Sequence, residues 1–248
     1  MTLDSQNSTY IPRRILITGG CGFIGSNFIH YLFSLNDKIE IINYDLLTYA
    51  GNKKNLEEFD YLDYYSFVKG DIRDKDSLSS VFKKFKPDTV INFAAESHVD
   101  RSIKDPNLFL ETNIIGTNIL AILSLEFGIR RFVQISTDEV YGDLTDEESP
   151  FTESSMIKPS SPYASSKASA DLLILSFCRT FGLPAIITRC SNNYGPYQHI
   201  EKLIPKIINN SINREKIPIY GTGNNIRDWI HVLDHCRGIF SALINGAI

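Results

Sequence analysis

Arg14-Ile15-Leu16-Ile17-Thr18-Gly19-Gly20-Cys21-Gly22-Phe23-Ile24-Gly25 is a β-branched run that breaks into glycines and then into an apolar helical pattern. The order reads as strand, glycine turn, helix. With Gly19, Gly22 and Gly25 three residues apart, the backbone can turn tightly and come close to a ligand. A pyrophosphate can then sit on the amides at the helix N-terminus, beside Phe23 and Ile24.

A second strand, Ile39 to Tyr44, ends in Asp45, twenty residues past Gly25. An acidic side chain there accepts from both ribose hydroxyls of an adenosine and repels a 2′-phosphate, so the reading is a dinucleotide site for NAD rather than NADP. Tyr65 to Gly70 reads as a third strand ending in Asp71 and Ile72, placed to meet the adenine amine and its face. Thr89 to Phe93 is a fourth, followed by Ala94 and Ala95, small enough for a cofactor ribose to lie against the backbone. A long helical region spans Asp105 to Phe127, Arg131 to Ile135 is a fifth strand, and Ala185 to Arg189 a sixth. Strands alternating with helices predict an α/β chain, a Rossmann-type doubly wound parallel sheet, over residues 13–191. Residues 1–12 read as a disordered polar tail. Residues 192–248, punctuated by Pro196, Pro205, Pro218, Gly221 and Gly223, read as part of a substrate-binding region with elements returning to the sheet.

The fifth strand delivers Ser136-Thr137-Asp138-Glu139 to the carboxyl edge of the sheet, where open α/β sheets bind ligands. Ser160-Ser161-Pro162 then starts a helix carrying Tyr163 and, four residues on, Lys167. A lysine one helical turn from a tyrosine can lower the phenol's pKa toward neutrality, as hydride transfer between an alcohol and a nicotinamide requires. The adjacent acids add an elimination. One carboxylate takes a proton from carbon while its neighbour, kept protonated, gives one to a departing hydroxyl.

With 248 residues, 43% of them hydrophobic and 22% charged, the chain can bury a full core. A net charge of −4 without basic runs gives no electrostatic reason to expect nucleic acid or membrane as partner. No segment is expected to reach the length of a membrane span. Cys21, Cys178, Cys190 and Cys236 have no metal-ligand spacing, so no metal is expected and the thiols read as reduced and mostly buried, as in the cytoplasm.

The stretches Thr48-Tyr49-Ala50-Gly51-Asn52, Ala94 to Ile103, Ser136 to Gly142, Ser161-Pro162-Tyr163, Arg189 to Pro196 and Arg227-Asp228-Trp229 together resemble the dTDP-glucose 4,6-dehydratases of the extended short-chain dehydrogenase/reductase family. The resemblance runs from about Arg14 to Ile248, and family members continue further, which implies a C-terminally incomplete substrate region here. It departs at Cys21, where alanine is usual, at Leu46, at His199-Ile200 and at His231, none of them a catalytic position. It implies an NAD-dependent lyase of deoxysugar (rhamnose) biosynthesis, cytoplasmic and homodimeric. Its catalytic residues would be Thr137, Asp138, Glu139, Tyr163 and Lys167. It adds Thr48, Thr112 and Asn193 to the cofactor residues. It assigns the nucleotide sugar to His98, Thr137, Asn192, Glu201, Lys202, Leu203, Pro218, Tyr220 and Arg227, with Arg227 as a two-oxygen clamp on the diphosphate. Rival readings are a UDP-glucose 4,6-dehydratase, a nucleotide-sugar 4-epimerase, which needs Tyr163 and Lys167 but no acid pair, and a non-catalytic NAD-binding protein.

Overall fold

The structure, a computed structural model, describes residues 9–35, 39–145, 147–219 and 221–248. Strand β1 (Arg14–Thr18) pairs in parallel with β2 (Glu40–Asp45) on one side, Ile15 opposite Ile41, and with β4 (Thr89–Asn92) on the other, Ile15 opposite Thr89. Adding β3 (Tyr65–Lys69), β5 (Arg131–Thr137) and β6 (Ala185–Cys190) completes a six-stranded sheet of order β3-β2-β1-β4-β5-β6, parallel throughout. The order reverses between β1 and β4, and the loops leaving these two strands part there, opening a crevice at the carboxyl edge. Predicted and observed strands agree to within two residues at each end.

Helices cover both faces, as a parallel sheet demands. On one face α1 (Phe23–Ser34) and α8 (Val232–Asn245) pack Phe28, Ile29, Val232, Cys236 and Ile239 against Ile15, Ile17 and Val133. The last helix of the chain thus returns to the sheet, and Tyr10, whose backbone N–H donates to Ile244 O (2.9 Å), packs beside it. The expected disorder of residues 1–12 is corrected at Tyr10, which is buried and bonds Thr89 Oγ1 at 2.8 Å; residues 1–8 lie outside the described set. On the other face α2 (Lys75–Phe85), α5 (Thr117–Glu126) and α6 (Pro162–Phe181) enclose Leu16, Val90, Phe132, Leu120, Leu123 and Ile174.

Two short helices, α3 (Val99–Lys104) and α4 (Pro106–Phe109), precede a π-helical turn, Leu110–Gly116, that runs into α5. The wider turn brings Thr112 to the crevice and buries Asn113, which donates to Glu96 O (3.0 Å) and Ser166 Oγ (2.8 Å). The continuous run Pro106–Glu126, 21 residues, is long and apolar enough to cross a membrane by length and composition, correcting the expectation that no segment is. Its apolarity serves the core here, because Leu120, Ala121 and Leu123 are buried against α2 and α6.

Beyond β6 come β7 (Asn192–Tyr194), α7 (Leu203–Ile212) and β8 (Trp229–His231), with β7 and β8 paired in parallel. No residue of α7 is buried, and residues 213–219 and 221–228 are exposed.

Candidate active site

Three features at the start of α1 leave its N-terminus open to an anion. Gly22 makes no side-chain cap, the first turn carries no acidic residue, and the turn before it is built to let a ligand close in. Gly19 has φ +69°, and a Cβ there would come within 2.6 Å of Ala94 N across the crevice. A Cβ on Gly25 would strike Gly19 O. These are the backbone approaches that a pyrophosphate cradle requires, so the turn fits the group its sequence predicts.

Asp45 sits at the end of β2 with Oδ2 accepting from Cys21 N (2.9 Å) and Oδ1 from Leu47 N (2.7 Å). Burial raises its pKa against those two bonds, and the carboxylate lines the crevice. Asp71 also lines it, but its carboxylate is already held by Arg73, with Nε at 2.9 Å and NH2 at 2.6 Å from Oδ2. Burial pushes Asp71 up, yet the hydrogen bonds from Arg73 outweigh it and keep the carboxyl below its ordinary range. Arg73 lines the same cleft beside it. Ile72 lies against Gly116, where a Cβ would come within 2.6 Å of it.

The crevice deepens into a cleft of about 740 Å³ lined by Gly19, Gly22, Phe23, Ile24, Gly25, Asp45, Thr48, Asp71, Ile72, Ala94, Ala95, Thr112, Thr137, Asp138, Glu139, Tyr163, Lys167, Asn192 and Asn193, with Glu201 and Lys202 among the other residues around it. All five expected catalytic side chains and every expected cofactor residue thus face one space. Thr137 ends β5 and caps the one-turn helix Asp138–Tyr141: its Oγ1 accepts from Glu139 N (3.2 Å) and donates to Asp138 Oδ1 (3.3 Å). The pKa values of both acids are raised. For Asp138 the cause is burial, opposed by the Thr137 bond; for Glu139 it is burial and then the Asp138 charge, opposed by Lys202 and Arg227. Each carboxyl is thereby poised to hold or take a proton nearer neutrality than a surface acid would.

Ser161 Oγ accepts from Ala164 N (3.1 Å) and, with Pro162 in the first turn, starts α6 so that Tyr163 and Lys167 stack on its inner face. The expected depression of the phenol pKa is corrected: burial, then the Glu139 carboxylate, raise Tyr163 well above the ordinary range, against a weaker pull from the Thr137 hydroxyl. Lys167 Nζ donates to Ile135 O at 2.6 Å, and burial lowers its own pKa. Burial is the largest cause, and the Glu139 and Asp138 carboxylates add to it, so a cation beside the phenol is needed for it to lose its proton.

Four expected substrate residues lie outside the lining. His98 turns to Glu201, Nε2 3.7 Å from Oε1; Leu203 opens α7 on the surface; Pro218 and Arg227 sit on the exposed segment, where Arg227 donates to Ile226 O (2.7 Å). The described residues of that segment are exposed, yet the Arg227 charge still reaches Glu139 and lowers its pKa. Tyr220 lies outside the described residues. The sequence reading passes over Tyr49 and Arg101, whose guanidinium stacks 3.5 Å over the Tyr49 ring at the rim, and Cys190 on the inner wall. Their presence in the quoted motifs is the one signal that points to them.

The profile of the family described as GDP-mannose 4,6 dehydratase matches residues 16–247. The chain belongs to this dehydratase family. A curated relative, dTDP-glucose 4,6-dehydratase 1 of Escherichia coli strain K12, is 46% identical over 250 residues, covering 94% of this chain and 69% of its own length. The crystal structure of a dTDP-glucose 4,6-dehydratase from Streptomyces venezuelae, solved with NAD bound, matches with a TM-score of 0.90 and 48% identity, over 94% of this chain and 72% of that one. A UDP-glucose 4-epimerase from Thermus thermophilus, in complex with NAD, matches with a TM-score of 0.85 at 28% identity, over 93% and 74%. The fold is thus shared by dehydratases and an epimerase.

Proposed function

We propose that the chain is an NAD-dependent dTDP-glucose 4,6-dehydratase, a hydro-lyase that forms dTDP-4-keto-6-deoxyglucose and water. The observation that carries the reading is the facing of Tyr163 and Lys167 by an acid pair, Asp138 and Glu139, across one cleft whose other end is a pyrophosphate cradle.

Gly19, Gly22 and Gly25 would hold the diphosphate of NAD, Asp45 its adenosine ribose, and Lys167 the ribose next to the nicotinamide. NAD, when bound, would supply the hydride acceptor for sugar C4, the hydride donor for C6 and a positive charge in the cleft. Lys167, as an ammonium, would stabilise Tyr163 as a phenolate, which accepts the C4 hydroxyl proton and becomes the phenol. Thr137 donates a hydrogen bond to the C4 oxygen. A ketone at C4 acidifies the C5 proton, which Glu139 removes. Asp138 protonates the C6 hydroxyl as it leaves. Their raised pKa values suit both tasks, since a protonated acid and a stronger base are needed side by side. Reprotonation at C5 closes the sequence with no net consumption of cofactor.

The nucleotide sugar would lie against Asn192, Glu201 and Lys202, where Lys202 Nζ already donates to Ser97 O (3.3 Å). We also infer a cytoplasmic homodimer, with no nucleic acid or membrane partner, formed by the helices of Pro106–Glu126 and Pro162–Phe181. Mass spectrometry of the sugar nucleotide after incubation with dTDP-glucose, UDP-glucose and NAD tests the function. Loss of the mass of one water from dTDP-glucose is expected. A product of unchanged mass, epimerised at C4, would overturn the reading.

A further inference from the structure

Behind the inner wall of the cleft lies a buried charge cluster to which the reaction assigns no task. Asp171, one turn beyond Lys167 on α6, is fully buried. Its Oδ2 accepts from Ser136 Oγ on β5 (3.0 Å) and from Arg189 Nε on β6 (2.9 Å), while Oδ1 is buried with no hydrogen-bond partner among the described residues. Arg189 is fixed in turn: NH1 donates to Tyr141 Oη (2.7 Å), and the guanidinium lies 5.1 Å over the Tyr141 ring. We propose that Asp171 is a positioning residue for the redox pair, the counter-charge that keeps Lys167 an ammonium, clamped at its post by Ser136 and Arg189.

The argument is one of charge balance. Lys167 is 4% exposed, and among the described residues its ammonium makes a single hydrogen bond, to a neutral carbonyl. The titratable groups that act on it are Asp171 on its own helix and the Cys190 thiol on β6. Burial pushes the Cys190 thiol up to about 11, so it stays neutral and supplies no charge. On the Lys167 ammonium, burial acts downward and Asp171 is the largest force upward. Asp171 in turn is ion-paired to Arg189 (2.9 Å) and lies one helical turn from Lys167 without touching its ammonium, and burial raises its pKa against both cations. Without its carboxylate two cations would share a dry interior. A guanidinium does not give up its proton, so the relief would come from Lys167. A neutral Lys167 cannot hold a phenolate, and Tyr163 already faces Glu139, Asp138 and the Cys190 thiol, all of which raise its pKa. Arg189 also anchors Tyr141, at the end of the turn bearing Asp138 and Glu139, so the ammonium and the acid pair share one support.

The inference rests on the assignment of Tyr163 and Lys167 above, and its test reads protonation rather than product. Lys167 is acetylated by acetic anhydride only when neutral, and the extent at each pH is read by mass spectrometry of its peptide, on protein stripped of nucleotide. Asp171→Asn should move the half-point for Lys167 down by about one pH unit or more, making acetylation below that point about tenfold faster. Asp171→Glu, which keeps the charge, should restore most of the wild-type curve, which a purely structural role would not require. An Asp171→Asn curve superimposable on wild type overturns the proposal. On the wild-type protein, carbon-13 NMR of the aspartate carboxyls must find Asp171 ionised at pH 7; a protonated Asp171 overturns the proposal even if the asparagine variant does not fold. A wild-type protein that makes no dehydrated product would end the functional reading and leave these curves unaffected.

Discussion

Two carboxyls and a phenol divide the proposed chemistry, and substitution at each should separate its steps. Tyr163→Phe removes the group that takes the C4 proton, so both NADH formation and product should fall by ~10²–10⁴-fold, the scale of a positioned base. Glu139→Gln should still reduce bound NAD and then stall, leaving NADH absorbance without loss of water. Asp138→Asn should slow the same step, because an amide has no carboxylic proton to give. Single-turnover absorbance with mass analysis reads all three, and undiminished product from Glu139→Gln would remove it as the elimination base. A second prediction concerns Asp45, whose carboxylate is fixed by Cys21 N and Leu47 N at the crevice. Asp45→Ala should narrow the preference for NAD over NADP, measured by titration, since ribose acceptance and charge repulsion go together; an unchanged ratio would locate the selectivity elsewhere. At this scale the sequence is legible wherever a residue sits on a regular element. Gly19, Asp45, Thr137 and Tyr163 follow strand ends or open helices, so their direction is set by the backbone. His98, Pro218 and Arg227 fall outside the cleft lining because their placement depends on loop packing that no local pattern encodes.

The α6 helix shows how an element carries a site. Its start is written in Ser161-Pro162, a side-chain cap followed by a residue preset for the first turn, and its stop in Gly182, whose φ of +71° closes the last turn. Between them the inner face holds Lys167, Asp171 and Ile174 in register with β5 and β6. Ser161→Ala should cost about 1 kcal/mol of stability by urea denaturation, the usual worth of such a cap. Because the cap sits two residues before Tyr163, the turnover rate should fall more than NAD affinity does; equal loss in both would mean that the cap serves folding alone. Elements are readable to within two residues where β-branched runs or caps mark them. The π-helical turn Leu110–Gly116 reads as plain helix in the sequence, because its apolar spacing fits either winding and only the buried Asn113 bonds distinguish them. The closing α8 is anticipated only as returning elements. Its Val232, Cys236, Ile239 and Leu243 stripe is clear at helical period, but which face of the sheet it covers depends on contacts far along the chain.

Across the whole molecule, apolar side chains remain uncovered on two adjoining helices: Leu110 and Ile115 from one, Leu172 and Leu175 from the other. A patch of this kind is the ordinary mark of an interface between subunits. Light scattering at micromolar concentration should give twice the chain mass, and replacing Leu172 and Leu175 together by glutamate should halve it; a wild-type monomer would dismiss the dimer. The last prediction concerns acid stability and the far side of the cleft. His235 on α8 is buried, with Nδ1 2.8 Å from Asn193 Oδ1 and Nε2 without a partner among the described residues. Burial lowers its pKa from 6.5 to about 4, so the folded protein keeps it neutral and Nδ1–H donates to Asn193, a residue of the cleft wall. The unfolded chain binds a proton at His235 below about pH 6.5 and the folded chain does not until about pH 4. The stability tied to the neutral ring is therefore complete above pH 6.5 and drains away as pH falls, by about 2 kcal/mol or more at pH 4.5. His235→Gln can still donate to Asn193 and does not titrate. Wild type and variant share the buried carboxyls, whose raised pKa values push the other way, so the difference between them isolates the histidine. Urea denaturation should show wild type ahead at pH 7.5 and its lead shrinking or reversing by pH 4.5. A difference independent of pH would mean that His235 titrates alike in the folded and unfolded chains.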